Sequence, residues 1–483
     1  MKLSTSLDVN ISKLKDVFPI GKSFDIITRD LYLGDTRAFW IGINGFCNLS
    51  VLQSIFSDLQ NPIYTKDTLI KDISSYLESK IGYAQAELTD DFDKITKNLM
   101  SGPSMLFIDG FDQAIILDAR SYPTRGIDEP DTEKVTMGAR DGFVETVLFN
   151  TNLIRRRIRN PNLTFEIKTI GTDSKTDVVI AYISQYVDHD LLKKLNDKID
   201  LLDVSSLTMG SKSLEELLIK KRWYNPLPSI YITERPDVAC SFLMEGYILL
   251  LVDNSPTSLV MPTTFFQFTQ SPEDYYKSAG LGNYIRLIRF GCLLASLFLL
   301  PIFFLISAYF PALADTLGLM KKGDVSPQQI FMYVIFVEMG LDVFKYSSSH
   351  SASGFANSLS IIGGLIIGDI AIELKWASQE VIFYAAVTML ATLSLANIEF
   401  GESIRLYRIF LIICTGFFGI WGFAISLLLV LISIITTPTF GGKSFFWPLR
   451  PFNWEALKTI LMRCATLKSQ PSKVWNQKSD DKN

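Results

Sequence analysis

Residues 290–310 read FGCLLASLFLLPIFFLISAYF, a run of about 21 residues without a charge. At 1.5 Å of rise per residue, that is the length an α-helix needs to cross the hydrocarbon core of a bilayer. Residues 378–398 contain a second such stretch, and 409–437 form an uncharged run of about 29 residues, long enough to span with tilt or to project beyond the bilayer. Two shorter segments lie between them. Residues 330–344 are apolar but carry Glu338 and Asp342; residues 355–372 are rich in small side chains, including Gly363, Gly364 and Gly368, and carry Asp369 near their end.

Charge divides the 483-residue chain at the same place. Residues 1–289 net to −6 and the remainder to +2. An acidic, soluble N-terminal portion is therefore followed by a membrane portion, and disorder, a collagen repeat and a disulfide scaffold are excluded. A pI near 5.5 argues against nucleic acid as a partner. Residues 1–18 lack the apolar core of a signal peptide, so the N-terminal region is expected in the cytosol. Arg286 and Arg289 before the first span, and the basic tail after 438, place both on the cytosolic side; Arg405 and Arg408 pull the other way. Four spans, with one short segment interfacial or re-entrant, is the favoured topology.

The N-terminal portion reads as α+β. Residues 24–43 alternate around Gly34-Asp35 as a hairpin, and Leu49, Leu52, Ile55, Phe56 and Leu59 share one helical face. Helix is expected through 69–84 and 91–100, and Ser101-Gly102-Pro103 suggests a boundary. Asp109-Gly110 predicts a two-residue hairpin turn between 105–108 and 114–117. A helix over 143–159, a hairpin over 163–183, helices over 191–202 and 213–221, and strands at 230–233 and 247–252 follow. The expected fold is an α+β cytosolic region of two subdomains, 1–100 and 101–286, then an α-helical transmembrane domain at 287–438 and a basic cytosolic tail at 439–483.

Catalysis has little to work with. Neither His189 nor His350 has a Cys or carboxylate at metal-ligand spacing, and Cys47, Cys240, Cys292, Cys414 and Cys464 form no CxxC. Gly21-Lys22-Ser23 and Gly442-Lys443-Ser444 lack the upstream glycine of a phosphate loop, and no GxSxG or HExxH occurs. The expectation is a non-enzymatic protein without metal or cofactor.

Three features stand out. Glu338 and Asp342, at i and i+4, share a helical face and read either as part of a cation path or as the wet side of an interfacial helix. Asp369 and Glu373 repeat the spacing, where a solvated helix end is the plainer reading, and Gly363, Gly364 and Gly368 allow close helix packing, within one subunit or between subunits around a pore. Arg155, Arg156, Arg157 and Arg159 fall at the end of a predicted helix, where the dipole favours cations. Either they are solvated there, or they contact the acidic loop holding Asp128 and Glu129 of a neighbouring subunit.

Longer ordered motifs then carry a resemblance. Pro123-Thr124-Arg125, Arg140-Asp141-Gly142-Phe143-Val144-Glu145, Leu153-Ile154-Arg155-Arg156-Arg157-Ile158-Arg159-Asn160-Pro161, Arg235-Pro236-Asp237, Asp253-Asn254-Ser255-Pro256, Ser271-Pro272-Glu273-Asp274-Tyr275-Tyr276 and Ile404-Arg405-Leu406 run in the order found in the A subunits of bacterial spore germinant receptors. The chain resembles that family over about residues 20–460. Its Ser347–Gly354 loop departs from the family, being Ser-rich with His350. The resemblance implies a multi-pass protein of the spore inner membrane, forming a homo-oligomer, a pentamer, that conducts monovalent cations early in germination. Other spore membrane proteins, a germinant receptor or a partner subunit, are the implied partners besides the lipid bilayer. The N-terminal wording Gly21-Lys22-Ser23-Phe24-Asp25 and Asn44-Gly45-Phe46 resembles a branch that amplifies ion release rather than sensing nutrient. Two rivals stand beside this reading: a subunit of a small-solute transporter, for instance for dipicolinate, and a non-conducting scaffold.

Overall fold

Alternation around Gly34-Asp35 produces the expected antiparallel hairpin, β1 (Ile26–Leu33) and β2 (Thr36–Ile43), in a register that pairs Leu33 with Thr36 and Ile26 with Ile43. The structure is a computed structural model that describes residues 2–60, 72–122, 133–220, 222–320, 325–350, 371–374, 376–442 and 444–462. It divides into two compact units, one formed by Met1–Lys220 with Ile230–Pro262, the other by Lys221–Ser229 with the helical part from Thr263 onward.

In the first unit, β1 and β2 join β3 (Ala86–Thr89), β4 (Ser104–Ile108) and β5 (Ala114–Leu117) in an antiparallel sheet of order β1-β2-β4-β5-β3. Successive side chains of a strand point to opposite faces, so the sheet feeds two cores. Phe39, Ile41 and Ile43 pack with Leu7 and Leu14 of α1 (Leu7–Val17) and with Ile95 and Leu99 of α4 (Phe92–Ser101). Ala38 and Trp40 pack on the other side with Leu52, Ile55 and Leu59 of α2 (Leu49–Leu59) and Ile73 of α3 (Ile73–Lys80). Leu49 of the expected helical face is exposed, being the first residue after the Asn48 cap. The boundary expected at 100/101 therefore falls inside this sheet. Gly102 is the left-handed C-cap of α4, and the chain runs straight on into β4. Asp109-Gly110 is likewise not a two-residue turn, because the register pairs Phe107 with Ala114 and leaves a longer loop.

The second half of the unit repeats the first. α5 (Val147–Arg157) is followed by a hairpin, β6 (Leu163–Ile170) and β7 (Thr176–Ile183). Then come α6 (His189–Asp200), α7 (Ser211–Leu218), β8 (Tyr231–Thr233) and α8 (Pro236–Met244). A closing pair, β9 (Ile248–Val252) and β10 (Ser258–Met261), completes an antiparallel sheet of order β6-β7-β9-β10-β8. Renumbered from its own start, this is the order of the first sheet. The polar fastenings coincide as well. Asp109 Oδ1 accepts the N–H of Leu7, the first residue of α1, at 2.9 Å; Asp253 Oδ1 accepts the N–H of Val147, the first residue of α5, at 3.0 Å. Both carboxylates satisfy a donor that the helix start leaves unpaired. Asn10 clasps both backbone groups of Ser4, and Asn150 clasps those of Val144. Gly110 N–H donates to Thr5, and Asn254 N–H to Glu145. The two subdomains are thus two copies of one topology, held by equivalent side-chain bonds where the hydrophobic residues have diverged.

The second unit is helical: α10 (Ala279–Tyr309), α12 (Pro327–His350), α13 (Gln379–Leu393) and α14 (Ile398–Ile435), with short α9 (Glu273–Tyr276), α11 (Pro311–Thr316) and α15 (Trp454–Leu461). Ala279–Tyr309 is long and apolar enough to cross a membrane by length and composition, as is Ile398–Ile435 when counted through its break at Gly419. The segment expected at 330–344 is a longer helix than its apolar stretch suggested. Most of 355–372, with Gly363, Gly364, Gly368 and Asp369, lies outside the described residues.

The run read as one long span at 409–437 is a helical hairpin. Gly419 breaks α14 with φ 62° and ψ −142°. Tyr407 Oη and Ser433 Oγ lie 2.7 Å apart, whereas an unbroken helix would separate those residues by ~39 Å. Gly422 lies so close to the first arm that a Cβ there would meet the Cys414 carbonyl oxygen at 2.0 Å. The second arm turns Gly422, Ser426, Val430 and Ser433 inward, small or compact residues that let the arms approach. At Gly419, a Cβ would sit 3.2 Å from the Tyr309 ring, on backbone angles that L-residues rarely adopt. Gly419→Ala is expected to destabilise the protein by about 1–3 kcal/mol, read as a lower melting temperature in detergent; an unchanged melt would show that the turn carries no strain.

Candidate functional site

Four helices of the second unit converge on one buried guanidinium. Arg408, on the first arm of α14, donates from Nε to Glu338 Oε1 and from Nη2 to Oε2, each at 3.1 Å. Glu338 comes from α12. The third nitrogen, Nη1, donates to the Ser296 carbonyl of α10 at 2.7 Å and to Thr392 Oγ1 of α13 at 3.1 Å. Ser296 Oγ and Thr392 Oγ1 are themselves 2.7 Å apart. Glu338 and Arg408 are only 3% and 2% exposed, so this bidentate pair is removed from water.

One turn away, Arg405 pairs with Asp342 and lies 3.9 Å from Glu338 Oε2; on the outer side, Lys345 Nζ meets Glu402 Oε1 at 3.0 Å. Two acids at i and i+4 on α12 thus face two arginines at i and i+3 on α14. Leu341, Met389 and Leu393 complete a small cleft beside them.

The structure brings the predicted Glu338 and Asp342 together and gives them partners. Glu338 is buried, while the Asp342 side chain stays 39% exposed. Arg405 and Arg408 had been weighed as loop charges that orient the protein. The signal that could have found them is their spacing of three, which, like the acids' spacing of four, puts both charges on one helical face. Arg286 and Arg289 are also consumed internally. Arg289 holds Asp274 with two bonds, at 2.8 and 2.9 Å, and Arg286 donates to the carbonyls of Thr459 and Ile460. A count of positive loop charges loses all four.

The arginine cluster of α5 is mostly internal as well. Arg155 is fully buried, with Nε 2.7 Å from Asp25 Oδ2 and its other nitrogens on the carbonyls of Asn160 and Leu163. Arg157 Nη2 sits 2.5 Å from both oxygens of Asp141. Fully buried, Arg155 has no surface to offer a neighbouring subunit, whereas Arg157 keeps 24% of its side chain exposed beside Asp141. Arg156 is exposed and stacks on Tyr122 at 5.0 Å, and Arg159 is exposed. Asp128 and Glu129 lie outside the described residues.

Sequence comparison finds relatives along almost the full length of the chain. A family model described as Bacillus/Clostridium GerA spore germination protein matches residues 12–473. Stage V sporulation protein AF of Bacillus subtilis (strain 168) is 32% identical over 456 residues, 94% of this chain and 92% of that protein. Spore germination protein B1 of the same organism is 26% identical over 482 residues, 98% of each. Among solved structures, the N-terminal domain of the A subunit of the Bacillus megaterium spore germinant receptor GerK3 is 26% identical, with a TM-score of 0.40, over 54% of this chain and 96% of that one. With an N-terminal α+β region, a helical C-terminal part and a family match that spans both, the chain belongs to the GerA family of spore germination proteins.

Proposed function

We propose that this chain is a multi-pass subunit of an ion-conducting homo-oligomer, a pentamer, in the spore inner membrane, and that it passes monovalent cations during germination without catalysis or cofactor. The observation that carries this reading is the depth of the charge cluster. Tyr309 ends α10 against the Gly419 turn, its hydroxyl donating to the Thr415 carbonyl at 3.0 Å. Ser296 lies ~20 Å before Tyr309 and Arg408 ~16 Å before Gly419, about midway through a hydrocarbon core of ~30 Å. Ionisable side chains at such depth are rare and costly; they pair with one another, as these do, and mark ion pathways and their gates. The faces around the cluster suit lipid: Leu294, Phe383, Leu390, Ile425 and Leu428 are each more than half exposed.

Within one chain, Glu338 and Asp342 are balanced by Arg405 and Arg408, so the path is electrically poised rather than acidic. Glu338→Lys would set three cations against one acid. Purified protein in liposomes is expected to release potassium faster than empty liposomes do, and Glu338→Lys is expected to abolish the excess, with oligomer size checked on native gels. Assembled wild-type protein that releases no potassium would favour a scaffold. Release of dipicolinate without potassium would favour a transporter.

A further inference from the structure

The short segment that the helical unit takes from the middle of the N-terminal region carries an exposed aromatic pair near its start. Trp223 is 96% exposed and Tyr224 52%, their rings edge-on at 5.9 Å. Arg222 is exposed and donates to the Tyr224 hydroxyl at 3.0 Å, and Lys220 and Lys221 precede it in sequence. A tryptophan so exposed, on a soluble surface, would leave a large apolar ring in water for no gain.

The strip is fastened rather than loose. Asn225, next in the chain, is buried; its amide donates to Thr437 Oγ1 at 2.9 Å and to the Ser433 carbonyl at 3.4 Å, and its oxygen accepts from the Tyr407 hydroxyl at 3.2 Å. The Pro226 carbonyl accepts from Ser403 Oγ at 2.7 Å. Both arms of the α14 hairpin are therefore pinned to this segment near their open end. Ser433 and Thr437 lie ~21 and ~27 Å along the second arm from Gly419. That is close to the thickness of a bilayer's hydrocarbon core, ~30 Å. At the closed end, Phe417, Phe418 and Trp421 are each more than 70% exposed. Two aromatic sets thus bracket an apolar hairpin at the separation of the two membrane interfaces, where Trp and Tyr concentrate.

We propose that Arg222, Trp223 and Tyr224 form a membrane-interface anchor that seats on the headgroup layer of an anionic bilayer. The proposal rests on the membrane reading above. The indole and phenol bodies would lie at the acyl boundary with their polar edges toward the headgroups. Arg222, with Lys220 and Lys221 beside it in sequence, supplies the charge complement to anionic lipid. The occupant is lipid rather than protein because the patch is set by the hairpin's length, not by a groove.

The test uses full-length protein carrying Trp223→Cys, labelled with an environment-sensitive fluorophore, and the parent protein labelled in parallel as baseline. Liposomes are phosphatidylcholine with or without phosphatidylglycerol, doped with nitroxide lipids at headgroup or acyl-end depth. The expected result is stronger quenching by headgroup nitroxide than by acyl-end nitroxide, weakened when phosphatidylglycerol is omitted and when Arg222→Glu is added. Water-like, unquenched emission from protein that resists alkaline extraction overturns the anchor and leaves the membrane reading standing. Blue-shifted emission that no lipid nitroxide quenches overturns it in favour of a protein partner or a second copy. Equal quenching with and without phosphatidylglycerol overturns the anionic headgroup as its ligand. Protein extracted by alkaline carbonate overturns the membrane reading and the anchor together.

Discussion

Arg408→Gln is expected to destabilise the helical unit by about 3–5 kcal/mol, because it strips Glu338 of its bidentate partner and leaves the buried carboxylate only Arg405, 3.9 Å away and already paired with Asp342. The surviving carboxylate would be 3% exposed, and the four-helix junction would also lose the bonds to Ser296 and Thr392. In detergent the melting temperature should fall by on the order of 10 °C. Glu338→Gln combined with Arg408→Gln removes both charges and should recover most of the loss, since a neutral pair avoids the desolvation cost of a lone ion. The four measurements close a double-mutant cycle whose coupling term reports the pair directly. If the single and double variants melt together, the pair is not a structural unit and the junction is held by apolar packing alone.

Arg155→Met should have a comparable effect on the N-terminal unit, about 3–5 kcal/mol, for the same reason in a different place. Asp25 would lose its Arg155 partner while remaining buried, and two backbone carbonyls would lose a donor. The site also joins the two copies of the topology. Ser23 donates to Asp25 at 2.5 Å and accepts from the Phe165 N–H at 2.9 Å, and the Phe24 N–H donates to the Phe165 carbonyl. Arg155→Lys should recover little, since an ammonium cannot reach three acceptors in a planar fork. Full-chain urea unfolding followed by far-ultraviolet circular dichroism provides the readout. A midpoint unchanged in Arg155→Met would mean that the ion pair contributes nothing and that the lobes are joined by their apolar contacts.

Local pattern carried much of the fold. Period-two alternation located β1, β2, β6 and β7 to within a few residues, and the helical stripe located α2. These are elements whose own sequence decides which face is buried. Short strands carry too little period to be found reliably: β5 and β8 were located, but β3 and β10, four residues each, were missed. The duplication was invisible for a related reason. Its copies share Asp109 with Asp253 and Asn10 with Asn150, polar fastenings too sparse to show as a repeat until the backbone places them.

In the helical unit, composition by itself determined that residues 290–310 and 409–437 belong among apolar surroundings, and that Glu338 and Asp342 are out of place there. Hydropathy is a property of each residue and sums along the chain, so it survives without coordinates. Only the tertiary structure decided that the second run doubles back at Gly419, because a glycine's capacity for such backbone angles does not say that it uses them. Only the tertiary structure decided that the acids of α12 meet the arginines of α14, a pairing across 70 residues that depends on which helix faces touch. Charge is read from sequence residue by residue, but its cost in an apolar place depends on the distance to a counterion, and that distance belongs to the fold.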